Sequence, residues 1–150
     1  MQYFKCFVFA LCFSASLNSH GSEKMPWVFN APEAEGYSIK LTASDPLPGT
    51  PLVAGEEIQL KVSGSYSMTI AKNGLIILVP QDEKNNQVGS GEKQISQAVN
   101  SPEGTFELLQ TIKVPKGAKE IRLFVPLMPE GLKETTGEIT IRYPVVKKKK

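Results

Sequence analysis

Short runs in which apolar and polar residues alternate recur from residue 37 to residue 145, and they restrict the chain to strands. Because the side chains of a strand point alternately to its two faces, such a run buries one face against a core. The runs predict strands at residues 37–44, 57–62, 65–70, 75–79, 95–99, 106–114, 120–127 and 137–145. No stretch has the 3.6-residue apolar period of an amphipathic helix, so little helix is expected.

The same alternation assigns the side chains that should face the core. They are Tyr37, Ile39, Leu41, Ala43, Ile58, Leu60, Val62, Tyr66, Met68, Ile70, Phe106, Leu108, Ile112, Val114, Ile121, Leu123, Val125, Leu127, Ile139, Ile141, Tyr143 and Val145. Residues 75–79 are apolar without interruption, which is typical of a central strand covered on both faces.

Glycine and proline separate the runs. Three prolines within six residues predict a loop at 45–51, because proline cannot donate to a strand ladder. Lys72-Asn73-Gly74 predicts a tight turn that tolerates positive φ, and the polar residues 80–94 predict a long loop. Seven to eight strands at this spacing predict an all-β fold, an antiparallel β-sandwich of the jelly-roll or immunoglobulin-like type.

Residues 1–21 have the three-part pattern of a secretory signal peptide. Lys5 supplies a positive start, residues 6–17 are largely apolar, and small polar residues follow. This stretch of twelve residues is too short to span a hydrocarbon core about 30 Å thick. We therefore expect a secreted or periplasmic protein that is not transmembrane.

The leader also contains both cysteines, Cys6 and Cys12, and the only histidine, His20. The rest of the chain therefore has no thiol and no imidazole. This excludes thiol nucleophiles, Ser-His-Asp triads, disulfide frameworks and zinc sites built on cysteine or histidine. We expect no cofactor and no metal in the sandwich domain at residues 37–146. An exported domain without cysteine fits a bacterial envelope better than an animal extracellular space.

Carboxylates remain as candidate catalytic groups, and their spacing does not favour an enzyme. A glycosidase needs two carboxyl groups that face one cleft. Glu56 and Glu57 are adjacent on a predicted strand and should point to opposite faces, while the other close pairs lie in irregular segments. We therefore expect a protein without catalytic activity.

A family resemblance comes from the C-terminal half. A strand ending in Ile-Lys-Val-Pro-Lys-Gly-Ala at 112–118, a second strand at 121–125 and a last strand opening with Gly-Glu-Ile at 137–139 resemble a galactose-binding-like jelly roll. That fold is common among carbohydrate-binding modules. The sequence Ala-Gly-Glu-Glu-Ile-Gln-Leu at 54–60 looks equally like an early strand of an immunoglobulin-like sandwich. The family's sugar-contact residues are not matched here, so candidate site residues follow from strand phase.

Three side chains near the end of the chain are out of phase with the core. Phe124 and Arg122 alternate with inward residues of one predicted strand, and Arg142 does so in the next. Carbohydrate recognition uses aromatic faces against sugar C–H groups, and charged groups against hydroxyls. We predict that Arg122, Phe124 and Arg142 form a ligand-binding face. The alternative is a surface arginine pair beside an aromatic ring that a loop covers.

Residues 22–36 form a predicted N-terminal arm that carries the only tryptophan, Trp27, together with Phe29. Trp27 and Phe29 are predicted to offer a stacking platform for the ligand. The alternative is that the arm uses these aromatic side chains to attach itself to an edge of the sandwich.

Two polar segments complete the candidates. Residues 81–87 have the oxygen-rich composition of a calcium or sugar loop but not the spacing of an EF-hand, and a solvated loop is the alternative. Residues 147–150 are a lysine tail, while the remainder after the leader carries twelve basic and fifteen acidic residues. Such a tail can lie on an anionic envelope surface or remain solvated.

Together these features predict an exported, non-catalytic domain that binds carbohydrate or cell-envelope glycan. The alternative is a structural or protein-interaction β-sandwich. Nucleic acid is not expected as a partner, because an exported protein is separated from the nucleic acid of the cell. The sequence also has no stripe of basic residues interleaved with aromatic residues.

Overall fold

The computed structural model of the chain describes residues 26–89 and 94–148. The predicted signal peptide, residues 22–25 of the arm, residues 90–93 and the last two lysines of the tail lie outside the described residues. Every regular element of the described ranges is a strand. These ranges contain no helix that is long and apolar enough to cross a membrane.

Nine strands are present in these ranges. They are β1 (Val28–Asn30), β2 (Tyr37–Asp45), β3 (Leu52–Val53), β4 (Glu57–Met68), β5 (Asn73–Asp82), β6 (Ile95–Asn100), β7 (Glu103–Lys113), β8 (Glu120–Pro129) and β9 (Gly137–Val146).

The strands form two sheets packed face to face. The larger sheet has the order β1-β9-β8-β5-β6, with β3 parallel to β9, and the smaller sheet has the order β2-β4-β7. Thus the first, second and fifth of the seven long strands make one sheet, as strands A, B and E do in an immunoglobulin-like sandwich, while the fourth, β6, pairs with the third in the other sheet. The predicted antiparallel β-sandwich is confirmed, and the strand order favours the immunoglobulin-like alternative over the jelly roll.

One core lies between the sheets, and most of it was assigned by the alternation. Its most completely buried side chains, at 0–1% exposure, include Ile39, Leu60, Val62, Met68, Ile112, Val114, Ile121, Leu123, Val125, Leu127, Ile139, Ile141 and Tyr143. Burying a large apolar side chain contributes roughly 1.5–3 kcal/mol, so this phase relation is the main source of stability.

Two inward assignments are wrong, each for a local reason. Ala43 is exposed because the pairing of β2 with β4 shifts register between Leu41 and Ala43, which reverses the phase of the strand. Ile70 is 69% exposed because β4 ends two residues earlier, at Met68.

The predicted strands 57–62 and 65–70 are one continuous strand of 12 residues, β4. Gly64 lies in its middle without breaking it. An ideal Cβ there would lie 2.5 Å from the Phe106 ring and 2.3 Å from the Lys40 carbonyl oxygen. The glycine allows the neighbouring strands to approach closely and does not mark a turn.

Two predicted connections are also corrected. Asn73 and Gly74 do not form the predicted turn, because they begin β5, paired with Asn100 and Val99. The predicted loop at 80–94 is shorter at its start, since β5 continues to Asp82. In the predicted central strand, Ile76 to Leu78 are buried, but Leu75 is 43% exposed.

Side chains cover part of both edges of the smaller sheet. Beside β7, the amide of Gln97 accepts a hydrogen bond from the Glu107 N–H at 2.9 Å and donates one to the Thr105 carbonyl at 3.2 Å. Beside β2, the Glu33 carboxylate accepts a hydrogen bond from the Ile39 N–H at 2.9 Å. These contacts occupy backbone groups that an additional strand would otherwise pair with.

Candidate functional site

The pairing of β8 with β9 brings the three out-of-phase residues together on the outer face of the larger sheet. Arg122 lies opposite Arg142, and Phe124 lies opposite Thr140. The four side chains are half-buried and alternate with core residues in their strands. The predicted proximity of Arg122, Phe124 and Arg142 is therefore present in the structure.

The N-terminal arm builds one wall of this site. β1 pairs with β9 so that Phe29 lies opposite Thr140, which itself lies opposite Phe124. Phe29 is 53% exposed. The resulting cavity has a volume of about 380 Å³. Its lining residues are Pro26, Phe29, Glu120, Arg122, Phe124, Thr140 and Arg142.

One carboxylate lies between the two guanidinium groups of the cavity. Glu120 Oε2 accepts a hydrogen bond from Arg142 Nη2 at 2.5 Å, and Glu120 Oε1 is 3.9 Å from Arg122 Nε. The three side chains retain only 18–24% of their exposure. At this degree of burial the pair is screened less than a surface ion pair. Glu120 therefore restrains the position of Arg142.

Arg122 is fixed by the turn that follows β5. Its Nη2 donates to the Asp82 carbonyl at 2.8 Å and to Asn85 Oδ1 at 2.9 Å. The guanidinium carbon is 5.8 Å from the centroid of the Phe124 ring, within cation–π range. Its Nε is buried and has no hydrogen-bond partner in the described residues.

In the oxygen-rich segment at 81–87, residues of the segment itself donate hydrogen bonds to the carboxylate of Asp82. Asp82 Oδ1 accepts hydrogen bonds from the N–H groups of Lys84 and Asn86, and Oδ2 accepts one from the Asn86 side chain. These bonds, with the Asn86 side chain first, lower the pKa of Asp82 below its ordinary value, although desolvation opposes them. The segment acts as a turn that positions Arg122.

Trp27 lies beside the cavity and does not line it. Its ring packs over Gly49, where an ideal Cβ would be 2.8 Å from three ring carbons. The Trp27 carbonyl accepts a hydrogen bond from the Arg142 N–H at 2.8 Å, and the Arg142 carbonyl accepts one from the Gly49 N–H at 2.9 Å. This position corresponds to the edge-attachment alternative for the arm.

Sequence reasoning missed Glu120, Thr140 and Pro26 as members of the site. The alternation of side chains along a strand was sufficient to identify two of them, since Glu120 lies on the same face as Arg122, and Thr140 lies on the same face as Arg142. Pro26 joins through the pairing of β1 with β9, a long-range register that the sequence of a three-residue strand does not specify.

Glu138 lies on the same face of β9, two residues before Thr140. Burial raises the pKa of its carboxyl, and a hydrogen bond from Thr140 Oγ1 at 3.3 Å partly opposes that shift. Among residues 26–89 and 94–148 there is no cluster of three or more histidine, cysteine, aspartate or glutamate side chains suited to a metal ion.

A second concavity of about 420 Å³ lies at the far end of the same sheet. Leu75 and Leu132, which are 43% and 49% exposed, contribute apolar surface to it. It contains one charged side chain, Glu130, whose carboxylate accepts a hydrogen bond from the Asn73 amide at 2.8 Å. It lacks the paired cations of the first cavity.

The chain matches no protein-family profile and no curated protein. A solved structure of a glycosyl hydrolase family 2 member from Bacteroides cellulosilyticus is similar over 73% of this chain and 13% of its own, with a TM-score of 0.47 and 10% identity. A protein provisionally named beta-galactosidase, from Bacteroides fragilis, is similar over 73% of this chain and 16% of its own, with a TM-score of 0.46 and 12% identity. This chain thus spans a small fraction of either protein, and similarity at this level carries no argument about function.

Proposed function

We propose that the chain is an exported, non-catalytic domain that binds carbohydrate in the cavity between β1, β8 and β9. The observation that carries the proposal is the combination of an exposed aromatic ring, Phe29, with two half-buried arginines in a cavity of about 380 Å³. Small-molecule sites typically have volumes of about 300–1,000 Å³. The cavity is therefore large enough for a short saccharide.

The lining provides the two kinds of contact that a sugar needs. Phe29 and Phe124 offer apolar faces to the C–H surface of a pyranose ring. Arg142 and the Thr140 hydroxyl offer hydrogen-bonding groups to its hydroxyls. Because Glu120 and the turn at Asp82 already hold the arginines, little conformational entropy is lost on binding.

The placement of the carboxylates supports a binding function without catalysis. Glu120 lies opposite Pro144, and Glu138 precedes Pro144 by six residues of β9. Six residues of strand correspond to roughly 20 Å, whereas the two carboxyls of a glycosidase are about 5–10 Å apart. The two glutamates therefore do not form an acid/base pair across one sugar.

A glycan array probed with the purified protein, followed by calorimetry on the glycans that bind, tests the proposal. Phe29→Ala should weaken binding about tenfold or more, because a stacked ring is lost, and the melting temperature should stay close to that of the wild type. Leu109→Ala is a matched control, since Leu109 is also exposed, at 46%, but lies on the other sheet. Failure to bind any glycan would favour the protein-interaction alternative.

Export is part of the proposal and rests on the leader pattern at residues 1–21. Mass spectrometry of the protein recovered from outside the cytoplasm should find an N-terminus between Leu17 and Lys24. Recovery of a chain that retains Cys6 and Cys12 would contradict export by a cleaved signal peptide.

A further inference from the structure

We infer that the preferred ligand of the cavity is a sugar acid, whose carboxylate binds Arg142 while its ring packs against Phe29. This inference rests on the proposed carbohydrate-binding function and narrows it to one ligand class. It follows from the charge balance of the lining, from the hydrogen-bond donors that remain unused, and from the aromatic wall.

The charge balance of the lining is positive. Arg122 and Arg142 face a single carboxylate, Glu120, so the charged side chains of the cavity sum to +1. All three are about four-fifths removed from solvent. A surplus charge buried to this extent is solvated poorly by water, and a bound anion would compensate for it.

The unused donors belong mainly to Arg142. Within the described residues its side chain makes one hydrogen bond, to Glu120, and a guanidinium has five N–H donors. Arg122 differs, because its Nη2 is occupied by Asp82 and Asn85, and its Nε is buried. Arg122 therefore contributes fixed charge, and Arg142 can bind the ligand carboxylate through the N–H groups that remain free.

The aromatic wall distinguishes a sugar acid from a simple inorganic anion. Phe29 is half-exposed at the cavity mouth, and the phenyl ring of Phe124 lies across Thr140 from it. A small anion would leave the exposed Phe29 ring in water, whereas a pyranose would cover it. A neutral sugar would use the rings and leave the positive charge uncompensated.

The test compares sugar acids with their own methyl esters, which keep the ring and remove the charge. Trisaccharides of galacturonate, glucuronate and mannuronate, and N-acetylneuraminate, are each titrated into the full protein beside the ester. At least one free acid should bind about tenfold more tightly than its ester, as a charge-assisted hydrogen bond requires. The preference should shrink as salt is added.

Variants assign the preference to the cavity. Arg142→Gln should abolish it, whereas Lys61→Gln, which removes an exposed cation on the other sheet, should not. Phe29→Ala should weaken acid and ester by the same factor. Glu120→Gln raises the net charge of the lining and should enlarge the ratio of acid to ester affinity, an outcome that a purely structural role for Glu120 does not produce.

The outcomes separate this inference from the proposed function. If acid and ester bind equally and both depend on Phe29, or if only neutral glycans of the array bind, the carbohydrate site stands and the inference is overturned. If Glu120→Gln leaves the ratio unchanged or lowers it, the inference is likewise overturned. If no saccharide binds, charged or neutral, the proposed function itself fails.

Discussion

Glu138 is a partly buried carboxyl whose ionisation opposes folding. Burial raises the pKa of its folded-state carboxyl above the ordinary value of 4.5, against the effect of the Thr140 hydrogen bond. Between the unfolded and folded pKa values the folded chain binds more protons than the unfolded chain. The contribution of Glu138 to stability is therefore complete below pH 4.5 and is lost as the pH rises through the folded pKa.

Replacing this carboxyl by an amide should remove that pH dependence. Glu138→Gln should be more stable than the wild type at pH 7, and the difference should disappear at about pH 3, where both states of the wild type hold the proton. Urea unfolding at the two pH values measures it. Glu134→Gln, at an exposed position, is the control and should show a smaller change. An equal difference at both pH values for Glu138→Gln would contradict this account.

At the scale of elements, the arm and the loop after β2 fit against each other through Trp27 and Gly49. Gly49 has a φ of +80°, a conformation that costs other residues roughly 1–2 kcal/mol. The Trp27 ring also fills the space that a Cβ at Gly49 would occupy. The glycine is therefore required twice, for its backbone conformation and for the contact.

Gly49→Ala should displace the Trp27 ring and loosen the arm. Because Trp27 is the only tryptophan, its emission reports the displacement directly and should shift to longer wavelength. Gly131→Ala is the matched control, since Gly131 has a φ of +83° and no atom within 4 Å of its ideal Cβ. It should cost the same backbone strain and leave the emission unchanged. Identical emission spectra for both variants would show that the ring does not depend on Gly49.

At the scale of the whole molecule, substitution by aspartate should have very different effects on stability at two neighbouring residues of one strand. Ile112 is 1% exposed and faces the core, while Thr111 is exposed on the outer face of the smaller sheet. Ile112→Asp forces an unpaired carboxylate into the core and should prevent folding, whereas Thr111→Asp should cost less than about 1 kcal/mol. Circular dichroism and thermal unfolding of both variants check this. Comparable damage from both would mean that the two sheets do not pack as described.

Sequence alternation was sufficient for the sandwich and most of the core because burial on one face of a strand has a period of two. It failed where a long-range event changed the phase or the length of a strand. The register shift between Leu41 and Ala43 arises in the pairing with β4, and Gly64 is needed inside β4 because the Phe106 ring packs where its Cβ would lie. Neither dependence is visible in the residues of the strand itself.

The residues of the candidate site likewise divide into those that the phase of a single strand predicts and those that depend on long-range pairing. Arg122, Phe124 and Arg142 were accessible from phase alone, because an outward face needs only the period of its own strand. The roles of Phe29 and Trp27 were not, because they depend on which strand the arm pairs with and in what register. The arm placed Phe29 in the cavity wall and Trp27 against the Gly49 loop, a distinction that composition cannot make.

The side chains that cover the edges of the smaller sheet bear on whether the protein associates with its own copies. Gln97 and Glu33 satisfy edge groups that elsewhere require a whole strand, a bulge or a lysine. Neither residue belongs to the buried core or lines the cavity. We expect Gln97→Ala and Glu33→Ala each to fold and to leave part of one edge of the smaller sheet open to other copies of the chain. These two side chains therefore bear on whether the folded protein stays apart from its own copies, a property separate from ligand binding.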